Sequence, residues 1–303
     1  MAERDQLRRL PDRFPLCCQW EITCRCNLRC VMCYTDCFNR PDKIREELTT
    51  REMVRIMNEM ADAGCLELCL TGGEPLARPD FFDIYEQAIT SGFLVTLFTN
   101  GTLITEAVAD RLAALPPHRI EISLHGLTEQ SFETITQGHG SYQRCLHAIQ
   151  VLIERRVPLV LKTTAMTINR HEILDIKRYV QGLGSVGYKL CEEMRPALDG
   201  TAGPYQFSLT PEEVEDLNQQ DPQLWQEACR KQSEPAPPCR SGMRSFHIDA
   251  YGFLQLCSGN RAQGYDLRNG SFKEGFYEYL PTFGCRWKAD TAPVLLQPSV
   301  THV

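Results

Sequence analysis

The chain has 303 residues, 43% of them hydrophobic, and a formal net charge of −7. This length buries a large core and admits one large α/β domain or one domain with an appendage. The acidic balance, with no basic stripe carrying interleaved aromatics, argues against a nucleic-acid surface and for no DNA partner, and no apolar run approaches the length of a membrane span.

Residues 1–14 are charged and lack the apolar stretch of an export signal, so the chain is expected in the cytoplasm. Six apolar, β-like runs then alternate with amphipathic helical stretches, the form of consecutive βα units around a parallel sheet. Strands are expected at 15–23, 66–71, 94–99, 119–124, 158–165 and 186–192. Cys26, Cys30 and Cys33 follow the first. Thr49 with Glu52 forms a capping box that opens a helix whose apolar face is Met53, Ile56, Met57 and Met60. Gly72-Gly73-Glu74-Pro75 closes strand two, Thr99-Asn100-Gly101 strand three and Ser123-Leu124-His125-Gly126 strand four. Lys162 lies on strand five and Arg195 past strand six. In parallel α/β barrels functional groups collect at the C-terminal ends of the strands, so these loops are expected to form one concave site. Residues 201–238 read as a linker with one helix, started by Thr210-Pro211-Glu212-Glu213 and ended by Glu234-Pro235-Ala236-Pro237-Pro238. A small region, 239–303, begins at Cys239 and contains a hairpin turn at 248–252, Cys257 and Cys285.

Fifteen cysteines in a reducing compartment are expected to serve as ligands or buried hydrophobes rather than disulfides. Soft thiolates select zinc, copper(I) or iron–sulfur clusters, and closed zinc or cluster sites want four ligands. Three cysteines in one loop therefore leave a four-iron cluster with an open iron, a place for chemistry. Cys65 and Cys69 in a strand-like run, and Cys145 and Cys229 in helical patterns, read as packing residues. Cys17, Cys18, Cys24, Cys37 and Cys191 read as packing or spare thiols, with Cys37 or Cys191 available for a missing ligand.

The Cys-x3-Cys-x2-Cys run after strand one and the Gly-Gly-Glu-Pro turn after strand two, followed by four further units, resemble the radical S-adenosylmethionine (SAM) superfamily over about residues 1–200. The resemblance implies a partial (β/α)6 TIM-type barrel of α/β class. It implies a [4Fe–4S] cluster on Cys26, Cys30 and Cys33, with SAM at the open iron and an enzyme that forms a 5′-deoxyadenosyl radical to abstract hydrogen from substrate. Gly72, Gly73, Glu74 and Pro75 would then meet the SAM ammonium, Ser123 and Arg195 its carboxylate, and Asn100 and Lys162 the ribose or substrate. His125 stands where many relatives carry Asp, and is read as substrate-facing or as a structural histidine.

Cys239, Cys257 and Cys285 resemble the opening part of a SPASM or Twitch extension, which implies an auxiliary [4Fe–4S] cluster; the later Cys-x2-Cys-x5-Cys-x3-Cys block is missing. Such extensions imply a peptide substrate of the ribosomally made type. The alternatives are maturation of a tetrapyrrole or quinone cofactor precursor, or a non-catalytic iron–sulfur or zinc scaffold. The implied partners are a peptide or small-molecule substrate and a reductant such as flavodoxin or ferredoxin. Strand one begins too early for a winged precursor-binding module, so leader recognition is expected to need a separate leader-binding protein or the barrel surface.

Overall fold

Alternation of apolar and polar side chains decides how the sheet is used. In the computed structural model, which describes residues 11–234 and 239–285, six parallel strands form where the sequence places them: β1 Cys17–Thr23, β2 Glu67–Gly72, β3 Leu94–Thr99, β4 Arg119–Ser123, β5 Leu159–Thr164 and β6 Gly187–Cys191. One face carries Trp20, Ile22, Leu70, Leu97, Ile122 and Leu161, all buried in a single core. Each such side chain contributes about 1.5–3 kcal/mol by leaving water. The other face carries Gln19, Glu21, Cys69, Thr96, Glu121 and Lys162, a polar lining that gives the concave side chemical character.

Helices cover the apolar face. Helix α1, Thr50–Asp62, has the Thr49–Glu52 capping box and buries Met53, Ile56, Met57 and Met60. It is followed by α2 Phe81–Thr90, α3 Glu106–Ala114, α4 Glu129–Thr136, α5 Ser141–Glu154 and α6 Ile173–Gly182. Cys145 on α5 and Cys65 before β2 are buried as expected. The expected linker differs: it holds two helices, α7 Pro211–Gln219 and α8 Pro222–Ser233, because Asp221 caps a second start and Pro222 takes the first-turn position where its missing N–H costs nothing. Cys229 on α8 is exposed, so its helical position does not bury it.

Strand β7, Ser245–Ile248, joins the sheet parallel to β1, and β8 Phe253–Gln255 and β9 Tyr265–Asp266 follow antiparallel, giving the order β6-β5-β4-β3-β2-β1-β7-β8-β9. The C-terminal region thus continues the sheet on the β1 side and closes over it, leaving β6 as the other edge. Residues 235–238, in the expected linker, and 286–303, in the expected extension, lie outside the described residues. No helix among the described residues is long and apolar enough to cross a membrane.

Candidate active site

The loop leaving β1 carries the three cysteines, and buried polar groups fix its start. Glu47, almost fully buried, accepts from the Cys24 amide (2.6 Å) and the Thr23 hydroxyl (2.9 Å). Behind it, buried Arg78 donates to the carbonyls of Ile22 and Leu48, both at 2.7 Å, and to Asp80. Further along, the Arg29 and Val31 amides donate to the carbonyls of Thr136 and Ile135 at the end of α4 (3.1 and 2.9 Å), and Asn39 Nδ2 donates to the Cys26 carbonyl at 2.9 Å. Cys26, Cys30 and Cys33 are half-buried along this frame, and Cys33 Sγ lies 3.4 Å from Thr35 Oγ1.

Burial, aided by the neighbouring thiols, pushes Cys26 up to about 12 and Cys30 upward as well; burial likewise raises Cys33. An all-sulfur donor set kept as neutral thiols by its surroundings fits a soft metal centre, whose positive charge supplies the missing drive to thiolate.

The Gly-Gly-Glu-Pro turn presses β2 against this loop. The amides of Gly73 and Glu74 donate to the carbonyls of Thr23 (2.8 Å) and Arg25 (2.7 Å). A Cβ on Gly73 would sit 2.3 Å from the Arg25 carbonyl oxygen, and Gly72, at φ +141°, would place one 2.2 Å from that of Thr23. Both glycines therefore permit a backbone contact that aligns the cysteine loop. Gly73→Ala is expected to cost about 1–3 kcal/mol as a small-to-large change against backbone, lowering Tm by roughly 2–4 °C per kcal/mol, and to cut iron loading of the loop. An unchanged Tm in a thermal melt would show that the contact yields freely.

Glu74 is fully buried, and its carboxylate accepts from the Leu76 amide (3.1 Å), the Thr99 hydroxyl (2.7 Å) and the Asn100 amide (2.7 Å). Burial raises it to about 7 against the pull of these donors. Its visible role is to brace the β2 and β3 turns. Asn100 Nδ2 in turn donates to Asn27 Oδ1 inside the cysteine loop at 3.0 Å. Ser123 stands at the end of β4 opposite Lys162 on β5. His125 is buried, accepts from the Thr164 amide at Nδ1 (3.2 Å), and is lowered to about 4 by burial and then by Lys162, the profile of a structural histidine. Arg195 donates to Ser258 Oγ at 2.8 Å, next to Cys257 in the C-terminal loop.

That loop docks by charge. Arg261 grips buried Glu21 of β1 with both guanidinium nitrogens, one at 2.7 Å, and Tyr34, the residue after Cys33, donates to the same carboxylate at 3.5 Å. Burial alone would raise Glu21, but Arg261, His247 and Tyr34 hold it below the usual carboxylate range. The turn at Cys257 reaches the last described residues, since Asn260 Nδ2 donates to the Gly284 carbonyl (3.0 Å), one residue before Cys285. Cys239 is exposed. A cavity of 430 Å³ opens between Cys24, Gly72 and Gly73 on one side and Tyr251 and Arg261 on the other.

The hairpin over this cavity turns on Asp249, whose Oδ1 accepts from the amides of Tyr251 (3.0 Å) and Phe253 (2.9 Å). Burial raises Asp249 from 3.8 to about 6 despite those donors. The folded state therefore holds this proton more tightly than the unfolded one. The resulting stability is complete below pH 3.8 and lost as pH rises through about 6. Asp249→Asn keeps the Oδ1 acceptor but puts an amide nitrogen where Oδ2 accepts from Gln255 Nε2 (3.3 Å), so Gln255 turns its amide over to present Oε1, which otherwise has no donor. The variant is expected to match wild-type Tm near pH 4 and exceed it near pH 7, by at most about 3 kcal/mol at 1.36 kcal/mol per pH unit. Parallel Tm profiles would contradict the burial effect.

A family model described as the Radical SAM superfamily matches residues 20–180, over half of the chain and the span that carries the cysteine loop and the four strands β2 to β5 beyond it. The chain belongs to the radical SAM superfamily. Among curated relatives, this radical SAM chain is 37% identical over 188 residues to the mycofactocin maturase MftC of Mycobacterium tuberculosis (62% of this chain, 46% of the relative). It is 35% identical over 169 residues to the AdoMet-dependent heme synthase of Methanosarcina barkeri (56% and 48%). The chain spans about half the length of these relatives. Its fold is similar to that of Streptococcus suis SuiB, solved bound to S-adenosylmethionine (TM-score 0.70, 15% identity, 92% of this chain and 69% of SuiB) and bound to the precursor peptide SuiA (TM-score 0.69).

The α/β partial barrel and the superfamily read from the radical SAM motifs therefore stand. The sequence reading passed over Glu47, Arg78, Glu21, Arg261, Glu121 and His247. The available signal was a lone carboxylate inside an apolar strand, Glu21 in β1 and Glu121 in β4, which obliges a buried cation nearby.

Proposed function

We propose that this chain holds a [4Fe–4S] cluster on Cys26, Cys30 and Cys33, binds SAM beside it, and modifies a peptide by hydrogen abstraction. The observation that carries this is the pinning of the Gly72-Gly73-Glu74 turn onto Cys24 and Arg25, which sets the thiol triad at the C-terminal rim above the polar face. The cluster and SAM, when bound, supply the 5′-deoxyadenosyl radical that takes hydrogen from the substrate. The chain's own residues orient and exclude: Gly72 and Gly73 offer close backbone approach to the SAM ammonium, Ser123 and Lys162 offer polar contacts at the rim, and the Asp249 hairpin covers the cavity. Arg195 is assigned to the C-terminal loop. Cys239, Cys257 and Cys285 are assigned to an auxiliary cluster in the 239–303 region, on the ground that the Cys257 turn packs next to residue 285.

A peptide substrate draws support from the maturase relative, with a reductant such as flavodoxin and a separate leader-binding protein as partners. The heme synthase relative supports a tetrapyrrole substrate as the second reading. Incubation of the reconstituted chain with SAM, dithionite and either a short peptide from a reading frame found beside its gene or a tetrapyrrole, followed by mass spectrometry, tests the choice. A mass change in the peptide supports the first reading; a change only in added tetrapyrrole favours the second.

A further inference from the structure

The concave face holds a second cluster, deeper than the cysteine rim. Glu121 on β4 has a side chain with no exposed surface, and three cations from three strands surround it. Lys189 Nζ lies 2.5 Å and Arg119 Nε 2.9 Å from Oε1, and Lys162 Nζ lies 3.4 Å from Oε2, stacked 3.7 Å over the Phe98 ring. Lys162 and Lys189 are paired across β5 and β6, so two ammonium groups share one carboxylate. Glu121 Oε2 still lacks a hydrogen-bond partner.

Glu121, Arg119, Lys189 and Phe98 border a cavity of 390 Å³ that also meets Arg195, Glu67 and His247. Counting Arg119, Lys189 and Arg195 against Glu121 and Glu67 leaves one positive charge in excess, and Lys162 adds a further cation on Glu121 outside that lining. The three cations around Glu121 keep 31–48% of their side chains exposed, so they remain reachable by a ligand. His247 supplies a second sign: it is fully buried and neither ring nitrogen makes a hydrogen bond, with Glu21 Oε2 standing 3.8 Å from Nε2. Buried polar groups are nearly always paired, and an unpaired imidazole facing a cavity with surplus positive charge suits a polar anionic group.

We infer that this cavity selects a substrate bearing a carboxylate, received by Lys189 and Arg119 with His247 as a hydrogen-bonding neighbour. This rests on the proposed function, whose substrate class it narrows. An acidic side chain and a peptide C-terminus both offer that group.

The test is calorimetry on the iron–sulfide reconstituted chain with three probes: acetyl-Gly-Glu-Gly-amide, acetyl-Gly-Gln-Gly-amide, and acetyl-Gly-Gln-Gly with a free C-terminus. Either carboxylate peptide is expected to bind at least tenfold more tightly than the neutral twin, and which one does so distinguishes side chain from terminus. Lys189→Gln should erase the difference. Glu121→Gln, which frees the cations, should enlarge it severalfold. Arg178→Gln, an exposed cation on α6, serves as the control. Equal binding of all three probes by the unaltered protein, or displacement of the acidic probe by saturating SAM, overturns the inference. The wild-type comparison needs no variant to fold. 5′-Deoxyadenosine release is measured in parallel: its absence removes the proposed function, while a carboxylate preference would stand by itself.

Discussion

Cys30→Ala is expected to lose the iron and the visible absorbance of the cysteine-loop cluster, keeping only what the Cys239, Cys257 and Cys285 region holds, while the helix and sheet signal is unchanged. Removing a ligand should exceed the roughly 10–100-fold effect of removing a group that only supports one. Cys30 lies between Arg29 and Val31, whose amides are tied to the end of α4, so the loop keeps its protein contacts when the thiol goes. The barrel core lies on the opposite face of the sheet and does not involve Cys30. Iron analysis and far-ultraviolet circular dichroism separate the two effects. Iron retained at the wild-type level would take Cys30 out of the ligand set.

Arg261→Ala is expected to destabilise the fold by about 3–5 kcal/mol, the cost of leaving a buried charge without its partner. Glu21 has 5% of its side chain exposed and Arg261 14%, so water cannot take over the role. The pair also ties the 257–264 loop to β1, so its loss should loosen the turn at Cys257 as well. Replacing both partners, Glu21→Gln with Arg261→Met, should recover much of the loss, because a neutral pair leaves no charge stranded. Denaturant unfolding of the two single variants and the double one closes the cycle. If the double variant is as unstable as the sum of the singles, the two side chains are not coupled.

The six strands were legible because each pairs an apolar face with a polar one and is bounded by turn residues. Helix α1 was legible from Thr49 and Glu52 alone. The joining of β7 to β1 was not: four residues, Ser245–Ile248, give too short a period, and their partner lies more than two hundred positions away. Asp221-Pro222 did carry a start signal inside a segment read as one helix. Glu74 was read as facing the cofactor because its turn points that way. The structure shows a carboxylate already engaged by Thr99, Asn100 and Leu76, contacts that only the packing of β2 beside β3 creates. Arg195 was read as a candidate for the SAM carboxylate by its place after β6, and its bond to Ser258, sixty-three positions on, was not legible because only the folded chain brings the two together.

The most direct measurement is 5′-deoxyadenosine release from the anaerobically reconstituted chain given SAM and dithionite. A cysteine loop built to leave one iron open should yield 5′-deoxyadenosine and methionine in equal amounts, with release abolished in Cys30→Ala. A fully iron- and sulfide-loaded sample that leaves SAM intact, or a preparation holding zinc without labile sulfide, would contradict the radical SAM assignment of this site's chemistry.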